Sequence, residues 1–254
     1  MRPRSRREIA ATSRQARPKR ALASDMADSA GARTTPYARR RGRRRFVTPA
    51  LTGLTLFVAL GAYLSAHPRT AFDDAVRDWA TASRSRAGVS LATLVSTAGS
   101  VTPMIVYALV VLIVVAYRRR SMVPLTAVAA PAAAVLAYLG TKSTFVRSRP
   151  SGVGNAFEGT YSFPSAHATT SSAVCCTVGY LLFRERLLSR AVAIAAAIIV
   201  PLVIGISRVY LDVHWATDVL GGWCLGVVIA CAASLLYEAA GGPEAHAVVA
   251  PDRS

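Results

Sequence analysis

Three short polar clusters interrupt an otherwise apolar chain: Lys142 with Arg149-Pro150, then Pro164-Ser165-Ala166-His167, then Ser207-Arg208 with His214 and Asp218. Each lies beside a long apolar run, where an ionisable group is costly unless it is paired or used. Between them they supply cations from Lys142, Arg149 and Arg208, imidazoles from His167 and His214, the Asp218 carboxylate, and hydroxyls from Ser165 and Ser207. Such a set can hold a phosphate and break a bond to it. Cations neutralise phosphoryl oxygens, and an imidazole serves as nucleophile or proton donor.

The spacings give each cluster a geometry. His214 and Asp218 are four residues apart and share a face if a helix has begun by then. A carboxylate there can accept the Nδ1 hydrogen, fix the tautomer and leave Nε2 as a nucleophile. Pro164 suits the first turn of a helix. That would set the backbone N–H groups of Ser165, Ala166 and His167 at a positive dipole end, ready for an anion, with His167 beside it to donate a proton. Arg149 can grip phosphate oxygens with two hydrogen bonds, while Lys142 acts as a point charge. Arg208 closes over the same point from the end of the preceding apolar run. Taken singly, the clusters have ordinary explanations: a helix-start histidine bonded to a nearby aspartate, a capping histidine, a snorkelling arginine, a basic loop at a membrane surface. Three separate loops bringing this set to one face is what those explanations leave unaccounted for.

The elements that must position them are membrane spans. The 254 residues are 53% hydrophobic with a mean hydropathy of +0.38, and the apolar residues are clumped. Runs of about 18 or more apolar residues read as membrane-crossing helices, since roughly 20 residues of helix cross the hydrocarbon core. The chain is expected to be all-α and polytopic, with six transmembrane helices in a bundle: 46–66, 101–117, 123–140, 166–183, 191–206 and 215–237. Residues 67–99 lie between the first two, and the Phe72/Val76/Trp79 spacing suggests an amphipathic helix at the interface. The arm 1–45 and the tail 241–254 are expected to be disordered and cytoplasmic, flanking a domain over 46–240.

Charge sets the topology. Of the 30 Lys and Arg residues, 15 lie in the first 45 positions. That arm, Arg118–Arg120 and Arg184–Arg190 all fall on one side of a six-span chain, as the positive-inside rule requires of the cytoplasm. The three clusters then meet on the extracytoplasmic side of the cell membrane. Nucleic acid is not an expected partner of the basic arm, which has no aromatic interleaving and no base-reading module. The lipid bilayer is the expected partner, with anionic headgroups attracted as a by-product. A cleaved signal peptide would need a basic region of about 45 residues and an A-x-A site after Leu64, and neither fits. Cys175, Cys176, Cys224 and Cys231 sit in apolar runs without CxxC spacing and read as small hydrophobes.

The arrangement K-x6-R-P, P-S-x-H and S-R-x5-H-x3-D resembles the type 2 phosphatidic acid phosphatase superfamily of membrane lipid phosphatases. The residues that carry it are Lys142 to Arg149-Pro150, Pro164-Ser165-Ala166-His167, and Ser207-Arg208 to His214 and Asp218. One departure is Ala166, where the family usually has glycine. The resemblance covers residues 46–240 and implies a lipid phosphate as substrate, either of the phosphatidate type or a polyprenyl diphosphate. It implies His214 as the nucleophile that forms a phosphohistidine, Asp218 as its orienter and His167 as the acid. Lys142, Arg149, Ser165, Ala166 and Arg208 would hold the phosphoryl group. No cofactor is implied. No metal is expected either, because the acidic cluster a Mg²⁺ site wants is absent from these loops. Two other classes share parts of the pattern. A vanadate-dependent haloperoxidase has a similar anion site but is soluble. A transporter or anion-binding membrane protein would be expected to repeat its broken helices in two halves, and no repeat is present.

Overall fold

The computed structural model describes residues 36–119, 121, 123–142, 144–150 and 161–243. The chain divides into two units, 1–43 and 44–254, and the second carries the candidate site. The helices are α1 (Pro36–Ala66), α2 (Ala71–Ala82), α3 (Arg86–Ala98) and α4 (Val101–Arg119), then a 3₁₀ segment (Val123–Val128) leading into α5 (Ala129–Lys142), then α6 (Ala166–Arg184), α7 (Arg190–Tyr210) and α8 (Ala216–Ala239). No strand occurs among the described residues.

Several boundaries differ from expectation. Most of the arm expected to be disordered, and the tail beyond residue 243, lie outside the described residues. Residues 36–45, however, are helical: arginine is a good helix former, and a helix already nucleated in the apolar segment extends through it. Residues 67–99 hold two helices rather than one. Thr70 Oγ1 accepts the Asp73 N–H at 3.1 Å and Ser85 Oγ accepts that of Gly88 at 3.0 Å, so each helix has its own N-cap. The third span opens as a 3₁₀ segment, since Pro131 has no N–H for the carbonyl four residues back.

Five helical segments are long and apolar enough to cross a membrane: Arg44–Ala66, Val101–Arg119, Pro124–Lys142, Arg190–Tyr210 and Ala216–Ala239. The remaining expected span, α6, is 19 residues long but too polar to qualify, with Thr169, Thr170, Ser171, Ser172 and Thr177 all buried. The reason is its position. α6 packs against α4, α5, α7 and α8, so it faces protein where the other spans have a lipid-like exterior.

α6 and α8 lie parallel in close contact. A Cβ on Gly222 would lie 2.8 Å from Ala168 Cβ, and one on Gly226 would lie 2.6 Å from Ser172 Cβ and 2.7 Å from the Thr169 carbonyl oxygen. Glycines four residues apart on one face against small residues let two backbones approach closely. At the far end, Arg184 grips Glu238 at 2.7 and 3.0 Å, Tyr180 donates to it at 2.7 Å, and Tyr237 donates to Glu185 at 2.5 Å. Arg45 reaches Tyr180 at 2.9 Å and Arg119 pairs with Glu185 at 3.1 Å. The basic ends of α1, α4 and α6 thus gather around the C-terminus of α8. Asp218 lies at its other end, 20 residues and roughly 30 Å away. Near Asp218, Phe163 is fully buried, stacked on Phe57 at 5.5 Å and edge-on to Phe145 at 5.2 Å, and it ties the loops before α6 to α1.

A Leu at Gly226 would drive its side chain into the α6 backbone. Gly226→Leu is expected to cost about 1–3 kcal/mol of stability or more, read as a lowered Tm of the detergent-solubilised protein.

Candidate active site

The helices bring the second and third clusters together at the point where the N-termini of α6 and α8 meet. The Ser165 N–H donates to the Asp218 carbonyl at 3.1 Å, which locks the start of α6 onto the first turn of α8. Ser165 is the N-cap of α6 and is fully buried. Its hydroxyl makes no capping bond and has no partner among the described residues. A buried donor left unmet at the positive end of a helix suits an anion's oxygen. α6 begins at Ala166, where the span was expected, with Pro164 just outside it after a cis Phe163–Pro164 peptide. The Ser165 amide was expected to face the anion; it is instead spent on Asp218. The amides of Ala166 and His167 remain at that end, and His167 is buried at the start of the helix.

His214 lies in the turn before α8, buried to 2% exposure. α8 begins only at Ala216, yet His214 Nδ1 still faces Asp218 Oδ2 at 3.4 Å, close enough for electrostatic attraction although no hydrogen bond is formed. Asp218 is wholly buried, and the same Oδ2 accepts the Trp215 N–H at 2.9 Å. On the other side of the ring, Arg149 Nη1 approaches Nε2 at 3.3 Å and donates to the Val213 carbonyl at 2.7 Å. A guanidinium can only donate, so Nε2 presents its lone pair and the hydrogen sits on Nδ1, toward the carboxylate. Burial pushes the His214 imidazole down to about 4. Asp218 opposes that shift, and Arg208 and Arg149 add to it. The ring is therefore neutral at ordinary pH, in the tautomer whose free nitrogen lies among cations.

Arg208, at the end of α7, is buried and donates to Ser96 Oγ of α3 at 2.5 Å. The Ser207 hydroxyl, counted above among the candidate groups, turns back to the Ile204 carbonyl at 2.6 Å and serves its own helix. Lys142 closes α5, and Arg149, in the loop beyond it, is buried.

Sequence reasoning missed a second layer. Arg147 is buried to 2% exposure; its Nη1 donates to Asp218 Oδ1 at 2.5 Å and to Thr217 Oγ1 at 2.7 Å, and its Nη2 to Asp73 Oδ2 at 2.7 Å. Neither Asp73, within the segment 67–99, nor Arg147, between Lys142 and Arg149, is among the candidate residues named from the sequence. The available signal was one of number: two arginines two residues apart in a loop cannot both be buried without a carboxylate, and the clusters supply one. Arg77 of α2 likewise clamps Asp212, which has φ 61°, through bonds of 2.8 and 3.0 Å. Left-handed backbone is unfavourable for a residue other than glycine, so this clamp holds a strained turn two residues before His214.

Residues 125–241 match the PAP2 superfamily. Phosphatidylglycerophosphatase B of Bacillus subtilis is 41% identical over 92 residues, which is 35% of this chain and 45% of that protein, so the match spans less than half of the relative's length. The crystal structure of a transmembrane PAP2-type phosphatidylglycerolphosphate phosphatase from Bacillus subtilis superposes with a TM-score of 0.64 at 22% identity, over 80% of this chain and 98% of that one. The helical bundle thus shares the fold of a multi-pass membrane protein, and the stretch similar to the PAP2 superfamily, residues 125–241, carries all three clusters.

Proposed function

We propose that the chain is a membrane lipid-phosphate phosphohydrolase that works through a phosphohistidine. The observation that carries this reading is His214. It is a buried, neutral imidazole with Nδ1 toward Asp218 and Nε2 toward the Arg149 guanidinium. In the proposed reaction Nε2 attacks phosphorus in line with the ester bond. The phosphorus–oxygen bond breaks, and the leaving oxygen takes a proton from His167. Asp218 stabilises the charge that appears on the ring as the new N–P bond forms. Water then attacks the phosphohistidine and gives its proton to His167, which releases inorganic phosphate and restores both histidines. Lys142, Arg149 and Arg208, the Ser165 hydroxyl and the Ala166 amide would hold the phosphoryl oxygens through both steps.

A lipid is the substrate class the surroundings favour. An apolar groove of about 520 Å³ opens between α3, α4, α6 and α7, with Val95, Gly99 and Ile204 among its lining residues. Val95 adjoins Ser96, the Arg208 partner, and Ile204 is one helical turn before Arg208. A phosphate held by Arg208 could therefore leave its apolar tail in the groove. The Bacillus relative is named for phosphatidylglycerophosphate, and that headgroup class is the first to test, alongside phosphatidate and polyprenyl diphosphates. In this reading α6 also crosses, as the fourth of six spans, the basic ends face the cytoplasm and the clusters open on the extracytoplasmic side of the cell membrane.

The deciding assay measures phosphate release by purified protein in detergent from each lipid phosphate. His214→Ala is expected to abolish turnover and the acid-labile phosphoenzyme; near-normal turnover in that variant would overturn the reading. Because the His214 pKa is depressed, the attacking form persists as pH falls and is lost only through about 4. The acid limb of kcat/KM assigned to His214 is therefore expected near that pH, well below the ordinary histidine range. Cations do the neutralising here, and among the described residues no three His, Cys, Asp or Glu side chains gather to ligate a metal. EDTA is expected to leave turnover unchanged, and loss of activity restored by Mg²⁺ would contradict that.

A further inference from the structure

Asp218 has two oxygens with different work. Oδ2 faces His214 and accepts the Trp215 N–H, while Oδ1 receives Arg147 Nη1 at 2.5 Å. Arg147 is itself fixed on every side. Its Nε donates to the Pro68 carbonyl at 2.8 Å, Nη1 also meets Thr217 Oγ1, Nη2 meets Asp73 Oδ2, and the guanidinium lies 5.6 Å from the centre of the Trp215 ring. Asp73, at 1% exposure, reaches from α2 to the first turn of α8. Its Oδ1 accepts the Thr217 N–H at 2.9 Å, and both its oxygens lie 2.9 Å from Thr217 Oγ1. With the Thr70 hydroxyl donating to Asp73 Oδ2 at 2.9 Å, two carboxylates, one guanidinium and two hydroxyls form a network behind the histidine, built from α2 and its N-cap, the loop after α5, and α8.

We propose that Arg147 and Asp73 are positioning residues for the His214–Asp218 pair: Arg147 holds one oxygen of Asp218 so that the other is presented to His214 Nδ1, and Asp73 holds Arg147. The physical case is that a carboxylate beside a lone guanidinium would turn both oxygens to it, because a fork-shaped donor favours two parallel bonds. Here the fork is divided. Asp73 takes Nη2 and Asp218 takes Nη1, so Oδ2 stays available to the ring. Thr217 bridges the two carboxylates' shared cation and keeps the spacing. The bonds on α2 also explain why an exposed helix with Phe72 and Trp79 outward buries an acidic residue on its inner face.

This inference rests on His214 being the nucleophile of a phosphatase. Its test compares Asp73→Asn, Thr217→Val and a control, Asp74→Asn, using a short-chain lipid phosphate in detergent. Asp74 pairs only with the exposed Arg69, at 2.6 Å, among the contacts described. Loss of alignment by about 1 Å can cost roughly 100-fold. Asp73→Asn is therefore expected to lower kcat by roughly 10- to 100-fold with KM nearly unchanged, and to slow phosphohistidine formation in a single turnover by the same factor. Thr217→Val is expected to show a smaller loss of the same kind, and Asp74→Asn none. A folded Asp73→Asn with wild-type kcat, or with its loss confined to KM, would overturn the positioning role. If Asp73→Asn does not fold, wild-type kcat in Thr217→Val would overturn it instead. Wild-type activity in the same assay checks the functional reading separately: its absence would overturn that reading, whereas an active wild type with an unaffected Asp73→Asn would overturn only this one.

Discussion

A charge withdrawn from water at the end of an apolar bundle must be matched where it lies, and this requirement organises the site. Asp218, Asp73 and Arg147 are each almost wholly buried. Removing one member of such a set leaves an uncompensated charge, which is far costlier than the net worth of the intact set. The geometry of α2, the loop after α5 and the start of α8 is therefore jointly determined: none can move without opening an ion pair in a medium that cannot hydrate it. The turn carrying His214 inherits this rigidity, and the Arg77–Asp212 clamp reinforces it on the outer side.

The bundle supplies the second constraint. For Ser165 to bond the Asp218 carbonyl, two helices must approach more closely than ordinary side chains permit, and the face formed by Gly222 and Gly226 against Ala168 and Ser172 allows it. The Ser/Thr content of α6 follows from the same need. A helix enclosed by four others gains nothing from long aliphatic chains and is better served by small residues whose hydroxyls can return to helix carbonyls, as Thr169 does to Ser165 at 2.9 Å. Polar pairs at the opposite end then hold α6 and α8 in register.

Much of this was legible in the sequence, because apolar runs and motif spacing are local signals. The limits of α4, α7 and α8 fell within a few residues of those expected, and the second and third clusters meet as their residue types implied. What escaped were pairings between distant segments. Asp73 looked like one of several charges on an amphipathic helix, since periodicity reports which face a residue occupies and not what it meets there. The Ser165 amide was expected at the anion and is satisfied by the Asp218 carbonyl instead, and the Ser207 hydroxyl, one of the inventory of polar groups, is satisfied by that of Ile204. The fourth expected span, 166–183, was read from its apolar residues, but its burial by other helices relaxes the demand for hydrophobicity on which a span is recognised.

The contact between Arg149 and His214 Nε2 has a consequence of its own. The lone pair on that nitrogen is not idle: it is covered by the side chain whose charge best suits an incoming anion. A neutral electrophile reaching the turn meets a capped nitrogen and has nothing to offer the guanidinium in exchange. On the proposed mechanism, an anion would draw Arg149 onto its own oxygens, trading a weak acceptor for a charged one, and so uncover the atom that faces it. On that mechanism, reactivity at this nitrogen would depend on the charge of the visitor.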